Sequence, residues 1–212
     1  YKNILKPKMS LKLSPSNTKN MRNENRRIDI NNIFSLNRIG SNETVEGGAS
    51  LTFGTEFSKI NEFNKEIFGA KIANIYRPKK NNNLPTNSSL GNKTSDIVGS
   101  LNYSPNEIIK IGYDFSLDSN LSENNYQLLG TEIKVNNFIS TFEYLNENNT
   151  NNSESYITNK TSYMINDNKS LTFEIRENKK TKLTEFYNLI YQYRNDCLIA
   201  AIEYNKDYYT DR

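Results

Sequence analysis

The stretch that decides the fold is LTEFYNLIYQYRNDCLIAAIEYNK, residues 183–206. Apolar and polar residues alternate through 187–193 and again through 198–204, with a short polar break at 194–196 between them. Alternation with period two on both sides of a short turn is typical of a β-hairpin. Cys197, the only cysteine of the chain, lies at this turn.

The same hairpin recurs along the chain. Short turns are centred on Asn106, Asn137, Asp167 and Asn195, and longer connections rich in Asn or Lys lie between them. The turns are about 30 residues apart, which leaves room for two strands of roughly ten residues, the length that a tilted strand needs to cross a bilayer core. Short turns at one end and long loops at the other are typical of bacterial outer-membrane barrels. The sequence therefore predicts an all-β fold, an antiparallel up-and-down transmembrane β-barrel segment with about eleven strands of a larger barrel.

A soluble β-solenoid or β-sandwich is the alternative to a barrel. A period near 30 residues also fits a repeat array, but the turns keep no repeated Gly, Leu or Asn ladder. A sandwich is disfavoured because charged residues such as Lys110, Asp114, Glu174 and Arg176 fall in the middle of long, uniform strands. The pattern favours the barrel.

Strand parity assigns the two faces of the predicted barrel wall. The residues that we expect to face the lumen are polar: Lys110, Asp114, Ser116, Thr172, Glu174 and Arg176. The residues that we expect to face lipid alternate with them: Ile109, Ile111, Tyr113, Phe115, Leu171 and Phe173.

Two long polar segments, 15–44 and 77–92, are predicted to be extracellular loops. The middle of the first, 28–39, carries Ile30, Ile33, Phe34 and Leu36, so we expect it to be folded. The chain starts without Met and ends directly after a strand, and we interpret it as a piece of a longer protein.

The composition argues against chemistry at an active site. The chain has no histidine and one cysteine, which excludes Ser-His-Asp and Cys-His catalysis, His-ligated metals and cysteine-cluster metals within it. No phosphate-binding glycine motif occurs, and acid pairs such as Asp114 and Asp118 are expected by chance among 24 acidic residues. We expect no enzyme activity and no cofactor. The net charge is +3 with both signs interspersed, so nucleic acid is not an expected partner.

Three blocks resemble a known family. Residues 27–57, RIDINNIFSLNRIGSNETVEGGASLTFGTEF, are similar to the loop-and-strand signature of LptD, the lipopolysaccharide-assembly family of the outer membrane, also called organic-solvent-tolerance proteins. Residues 83–101, NLPTNSSLGNKTSDIVGSL, and residues 183–212 are similar to later barrel blocks of that family. The most specific part is 37–48, and the strands between the blocks are generic.

The resemblance implies a large barrel preceded by a periplasmic β-jellyroll, with residues 1–212 as the C-terminal part of the barrel domain. It implies a location in the outer membrane of a Gram-negative cell, with outer-membrane lipid around the barrel. Lipopolysaccharide would be received from a periplasmic bridge protein through the N-terminal domain and inserted into the outer leaflet. A plug lipoprotein of the LptE type would lie inside the barrel. A porin-like barrel, or a barrel that binds surface partners through its long loops, is the alternative function.

The resemblance also implies a role for Cys197, because the family carries cysteines near the end of the barrel that pair with cysteines of the N-terminal domain. Leu198 follows where better-known members have a second cysteine, so the resemblance does not extend to a second disulfide. Turn parity puts Cys197 on the periplasmic side, which is an oxidising compartment. The alternative is a small strand residue that happens to be cysteine.

Overall fold

The computed structural model describes residues 1–148 and 153–208. The regular structure of these residues is almost entirely β. The strands are β1 (Lys2–Ser14), β2 (Gly48–Ile60), β3 (Glu66–Tyr76), β4 (Ile97–Tyr103), β5 (Ile109–Leu117), β6 (Asn124–Val135), β7 (Phe138–Asn148), β8 (Ser153–Asn166), β9 (Lys169–Asn178), β10 (Leu183–Arg194) and β11 (Ile199–Asp207), and one 3-10 turn spans Ser89–Gly91.

The eleven strands form one sheet in the order of the sequence, so every strand lies beside its sequence neighbours. This confirms the predicted all-β, antiparallel, up-and-down fold and the number of strands. In residues 1–148 and 153–208, no helix has the length and apolar character needed to cross a bilayer.

Three predicted boundaries differ from the observed ones. The sequence pattern predicts a strand over about 45–57, but β2 begins at Gly48 because the buried Glu46 and Gly47 belong to the preceding loop. The last hairpin turn is longer than predicted and includes Leu198, because the side chain of Asn195 holds the backbone in a turn up to that residue. The Asn-rich sequence also predicts a loop over 146–153, but β7 extends to Asn148 and β8 begins at Ser153. Residues 149–152 lie outside the described residues.

The chain consists of two compact units, and the second comprises 104–112, 128–146 and 154–212. In this unit the short turns lie side by side. The backbone N–H of Met164 donates to Asn137 O at 2.8 Å, and that of Arg194 donates to Asn168 O at 2.7 Å. Successive short turns are therefore at one end of the sheet, as the spacing of the sequence predicts.

Asparagine side chains build these short turns. Asn195 Oδ1 accepts hydrogen bonds from the backbone N–H groups of Cys197 at 3.0 Å and Leu198 at 2.7 Å. Asn136 adopts the left-handed conformation with φ of 49°, which Asn tolerates better than most residues. Part of the asparagine content is therefore explained by the short turns.

The first unit comprises 1–103, 113–127 and 147–153. Its two long connections, 15–47 and 77–96, pack against the sheet and each other. Ile33 and Ile39 of the first connection and Leu90 of the second share a buried cluster with Ile75 and Val98 of the sheet. The expected folding of 28–39 is confirmed by this cluster, although one of its apolar residues, Leu36, is 86% exposed.

Backbone hydrogen bonds join the two connections directly. Met21 N donates to Asn83 O at 2.8 Å, and Thr86 N donates to Arg22 O at 3.1 Å. Buried backbone N–H and C=O groups need hydrogen-bond partners within the protein. These two hydrogen bonds supply such partners between segments that are far apart in sequence.

Candidate functional site

The two faces of the sheet in the first unit differ in chemistry and in cover. Met9 and Phe53 lie directly opposite each other on neighbouring strands, and they are 77% and 49% exposed. Their neighbours Ser10 and Thr52 also pair, and Thr52 is buried beneath the first long connection. One face is therefore apolar and uncovered, and the other is polar and covered by the loops.

The second unit shows the same division around β9. Leu171 pairs with Tyr163 and Tyr191, and Phe173 lies opposite Leu189, so these rings and aliphatic chains share one face. Both Leu171 and Phe173 are partly exposed.

On the opposite face of the sheet, the three polar candidates of β9 interact with side chains of the neighbouring strand β8. Thr172 Oγ1 lies 2.9 Å from Ser162 Oγ, and Glu174 Oε2 lies 3.6 Å from Lys160 Nζ. Arg176 stacks on Tyr156, with its guanidinium carbon 3.7 Å from the ring centroid. Alternation thus places Thr172, Glu174 and Arg176 together on the polar face.

The candidates of β5 fall in both units. In the second unit, Lys110 Nζ pairs with Glu132 Oε1 at 2.6 Å on an exposed surface. In the first unit, Tyr113 stacks on Phe115 with ring centroids 5.7 Å apart. Ser116 is buried and donates to Asp96 Oδ2 at 3.0 Å. Asp114 lines a small cavity of about 60 Å³, while Ile109 and Ile111 alternate with Lys110 along the strand.

The most heavily buried polar feature of the first unit is an ion network, which sequence reasoning did not find. Arg38 donates from Nε and Nη2 to the two carboxylate oxygens of Glu46 at 2.9 and 2.6 Å. The same guanidinium donates to Thr52 Oγ1 at 2.9 Å and Ser50 Oγ at 2.7 Å. A bidentate pair of this kind fixes both direction and distance, so it ties the first long connection to β2.

Two more cations complete the ion network. Arg77 pairs with Glu46 and also donates from Nε to Leu90 O at 2.8 Å. Lys12 Nζ lies 3.2 Å from Glu46 Oε2 and donates to Leu36 O at 2.7 Å. Three cations thus surround one carboxylate, and they come from β1, from the first long connection and from the residue after β3.

Burial changes the titration of the two guanidinium groups. Loss of hydration lowers the pKa of Arg38 to about 10. The pKa of Arg77 is also lowered to about 10, first by burial and then by the charge of Arg38. Both groups remain charged at neutral pH, so the carboxylate of Glu46 is needed to offset them.

The Gly-Gly pair of the 37–48 signature has a packing reason. A Cβ at Gly47 would collide with the carbonyl oxygen of Ser16, and Gly47 N donates to Thr18 Oγ1 at 2.9 Å. Gly48 has φ of 90°, a conformation that favours glycine. The signal that the sequence offers is the presence of Arg38, Glu46 and the Gly47-Gly48 pair within one short, largely polar block.

A polar cavity of about 150 Å³ in the first unit is lined by residues of both long connections and of the sheet. The guanidinium of Arg27 covers the ring of Tyr126 at 3.4 Å from its centroid, and Arg27 Nη1 is 3.7 Å from Glu147 Oε1. Asp96 lines the same cavity and accepts from Asn125 Nδ2 at 2.9 Å. The neighbouring 60 Å³ cavity shares Arg27 and Tyr126 with it.

The remaining candidate, Cys197, is an exposed free thiol in the last hairpin turn. Among the described residues, no three His, Cys, Asp or Glu side chains are placed to hold a metal ion.

These features define the class of protein. An up-and-down antiparallel sheet with one exposed apolar face and one polar face has the organisation of an outer-membrane β-barrel wall. The family model described as LptD, LPS transport system D, matches residues 1–168, and the chain belongs to this family. No curated protein matches the chain.

The family match contains the two long connections, the ion network and the cavity, and it ends at the turn between β8 and β9. The resemblance seen in 27–57 and 83–101 is therefore confirmed. Cys197 lies beyond the matched residues.

Proposed function

We propose that this chain forms part of the barrel that inserts lipopolysaccharide into the outer leaflet of the outer membrane. The observation that carries the proposal is the match of residues 1–168 to a lipopolysaccharide-transport family. The role is one of transport and requires no bond chemistry, because a lumen and an exit are enough to move an amphipathic lipid.

The chemistry of the two faces supports an assignment to lumen and membrane. The exposed apolar residues, Met9 in the first unit and Leu171 and Phe173 in the second, face lipid, where apolar side chains are more stable than polar ones. The polar face, with Thr172 and Glu174, faces the lumen. There it contacts water, a plug lipoprotein of the LptE type or the hydrophilic part of the substrate.

The long connections 15–47 and 77–96 are the extracellular loops in this proposal. Their burial against the polar face supports a role as a cover over the lumen. On the periplasmic side, the short turns face a bridge protein that reaches the barrel through an N-terminal domain.

Depletion of the full-length protein from its own cells tests the function. We expect newly labelled lipopolysaccharide to stop reaching the cell surface, measured by its accessibility to an impermeant probe, and re-expression to restore delivery. Normal delivery combined with reduced uptake of small hydrophilic solutes would replace the proposal with the porin-like alternative.

Cys197 is proposed to form a disulfide with a cysteine of the N-terminal domain. Its exposed thiol, in a hairpin turn at the short-turn end, supports this pairing. Non-reducing electrophoresis of the full-length protein should show a mobility difference between wild type and Cys197→Ser, and reduction should remove the difference. Identical mobility without reductant would eliminate the disulfide.

A further inference from the structure

The 150 Å³ cavity, which we call the polar cavity, is not used by the ion network. We propose that it binds a neutral saccharide unit of lipopolysaccharide, an inference that rests on the proposed function. Arg27, Asp96, Tyr126 and Glu147 line it together with residues 86–89.

The lining of the polar cavity is rich in groups that both donate and accept hydrogen bonds. Besides the charged residues, it presents the hydroxyl and amide side chains of Thr86, Asn87, Ser88, Ser89, Asn125 and Asn148. Sugar hydroxyls have the same dual capacity, so each can donate to one of these side chains and accept from another. An acyl chain has no group that could hydrogen-bond to this lining.

The charge of the polar cavity disfavours an anion. Asp96 and Glu147 line it, against the single cation Arg27. A phosphate group would face both carboxylates at short range. Neutral hydroxyls can donate to a carboxylate in a charge-assisted hydrogen bond, so a neutral sugar fits better than a phosphorylated one.

The polar groups are held in place before any ligand arrives. Asp96 Oδ2 accepts from the buried Ser116 at 3.0 Å and from Asn125 at 2.9 Å, and Asp96 N donates to Ser89 Oγ at 2.7 Å. Stacking on Tyr126 fixes the guanidinium of Arg27. A site that is already ordered loses less entropy on binding.

One donor in this arrangement lacks a partner. Arg27 Nε is shielded from solvent, and no hydrogen-bond acceptor for it exists in residues 1–148 and 153–208. Buried donors are usually satisfied. Because Nε is shielded, a ligand in the polar cavity would contact the guanidinium through its other nitrogen atoms.

The test uses the full-length protein in complex with its plug lipoprotein in detergent. The probe is core oligosaccharide that has been released from purified lipopolysaccharide and dephosphorylated, and binding is titrated by saturation-transfer NMR. We expect Glu147→Gln to weaken binding roughly tenfold, because a charged acceptor of the ligand becomes neutral. Arg27→Lys, which keeps the charge but removes the planar guanidinium that stacks on Tyr126, should weaken binding as well.

The matched control is Glu56→Gln. The side chains of Glu147 and Glu56 are 25% and 26% exposed, and each carboxylate is paired with a cation. Glu56 does not line the polar cavity. The control should bind like the wild type, and unchanged heat-modifiable mobility verifies that all three variants are folded.

Three results would overturn the inference: no binding of the dephosphorylated probe, equal weakening by Glu147→Gln and Glu56→Gln, or equally tight binding of an unrelated maltooligosaccharide. The last would remove the assignment to lipopolysaccharide. The depletion experiment tests the proposed function separately. The proposed function fails if lipopolysaccharide still reaches the surface normally after the protein is depleted. Delivery that depends on the protein, without sugar binding, refutes only this inference.

Discussion

Replacing Glu46 with alanine should release the two long connections from the sheet. The substitution removes the carboxylate that bonds to Arg38, Arg77 and Lys12, and it leaves three cations around an empty position. Breaking a buried ion pair from one side costs about 3–5 kcal/mol, since the remaining charge stays desolvated and uncompensated. We expect the local free energy of unfolding of the connections to fall by this amount.

Protease cleavage of intact cells measures this release, with the full-length protein in the outer membrane. Cleavage within 15–47 should become rapid in Glu46→Ala, and the cells should become more permeable to a large antibiotic. Glu43→Ala is the control, because Glu43 is an exposed acid three residues away in the same connection. Cleavage of Glu46→Ala at the wild-type rate would show that the ion network does not hold the connections.

A triple variant shows whether the effect of Glu46→Ala comes from unbalanced charge or from the lost side-chain volume. If Glu46, Arg38 and Arg77 are all replaced with methionine, the carboxylate and the two most deeply buried cations disappear together, similar volume is kept, and only the less buried Lys12 retains its charge. Replacement of a buried ion cluster by apolar residues is often neutral or stabilising, so the triple variant should resist protease better than Glu46→Ala. A triple variant that is cleaved faster than Glu46→Ala would refute this explanation.

The second large effect is expected at Phe173. If its face is in contact with lipid, Phe173→Arg places a charge in hydrocarbon and costs about 2–4 kcal/mol at mid-membrane. Thr172→Arg is the matched control one residue away, on the face with Ser162 and Lys160, and its cost should be small. Urea unfolding of the full-length protein in lipid bilayers, followed by heat-modifiable mobility, measures both. A larger loss for Thr172→Arg would reverse the assignment of the two faces.

Strand number, strand order and the short-turn end could be predicted from the sequence because they depend on local information. Period-two alternation determines where a strand runs, and an up-and-down sheet places each strand beside its sequence neighbours. The turn after β10 was predicted too short, since alternation resumes at Leu198 while the side chain of Asn195 still holds that residue in the turn. The alternation of apolar and polar residues shows which side chains share a face. It does not show the hydrogen bonds that determine where a strand begins or ends.

The ion network and the polar cavity could not be predicted from the sequence. Lys12, Glu46 and Arg77 are separated by more than thirty residues each, and no local pattern shows that irregular loops bring them together. The 37–48 block was recognised only by its resemblance to a family. The physical reason for its two glycines, contact of Gly47 with Ser16, depends on a tertiary contact. The polar cavity likewise combines Arg27 with Tyr126, which are far apart in the chain.

The ion network also has a consequence for how the strands are aligned during assembly. Lys12 comes from β1, Ser50 and Thr52 come from β2, and Arg77 follows β3, so the charges balance only when three strands are in register. A slip of one residue between β1 and β2 would turn Lys12 to the apolar face and move the polar side chains away from Arg38. Misaligned hairpins would then carry unpaired charge and remain open. All the contacts of the ion network are therefore available to the loops only over a correctly aligned sheet.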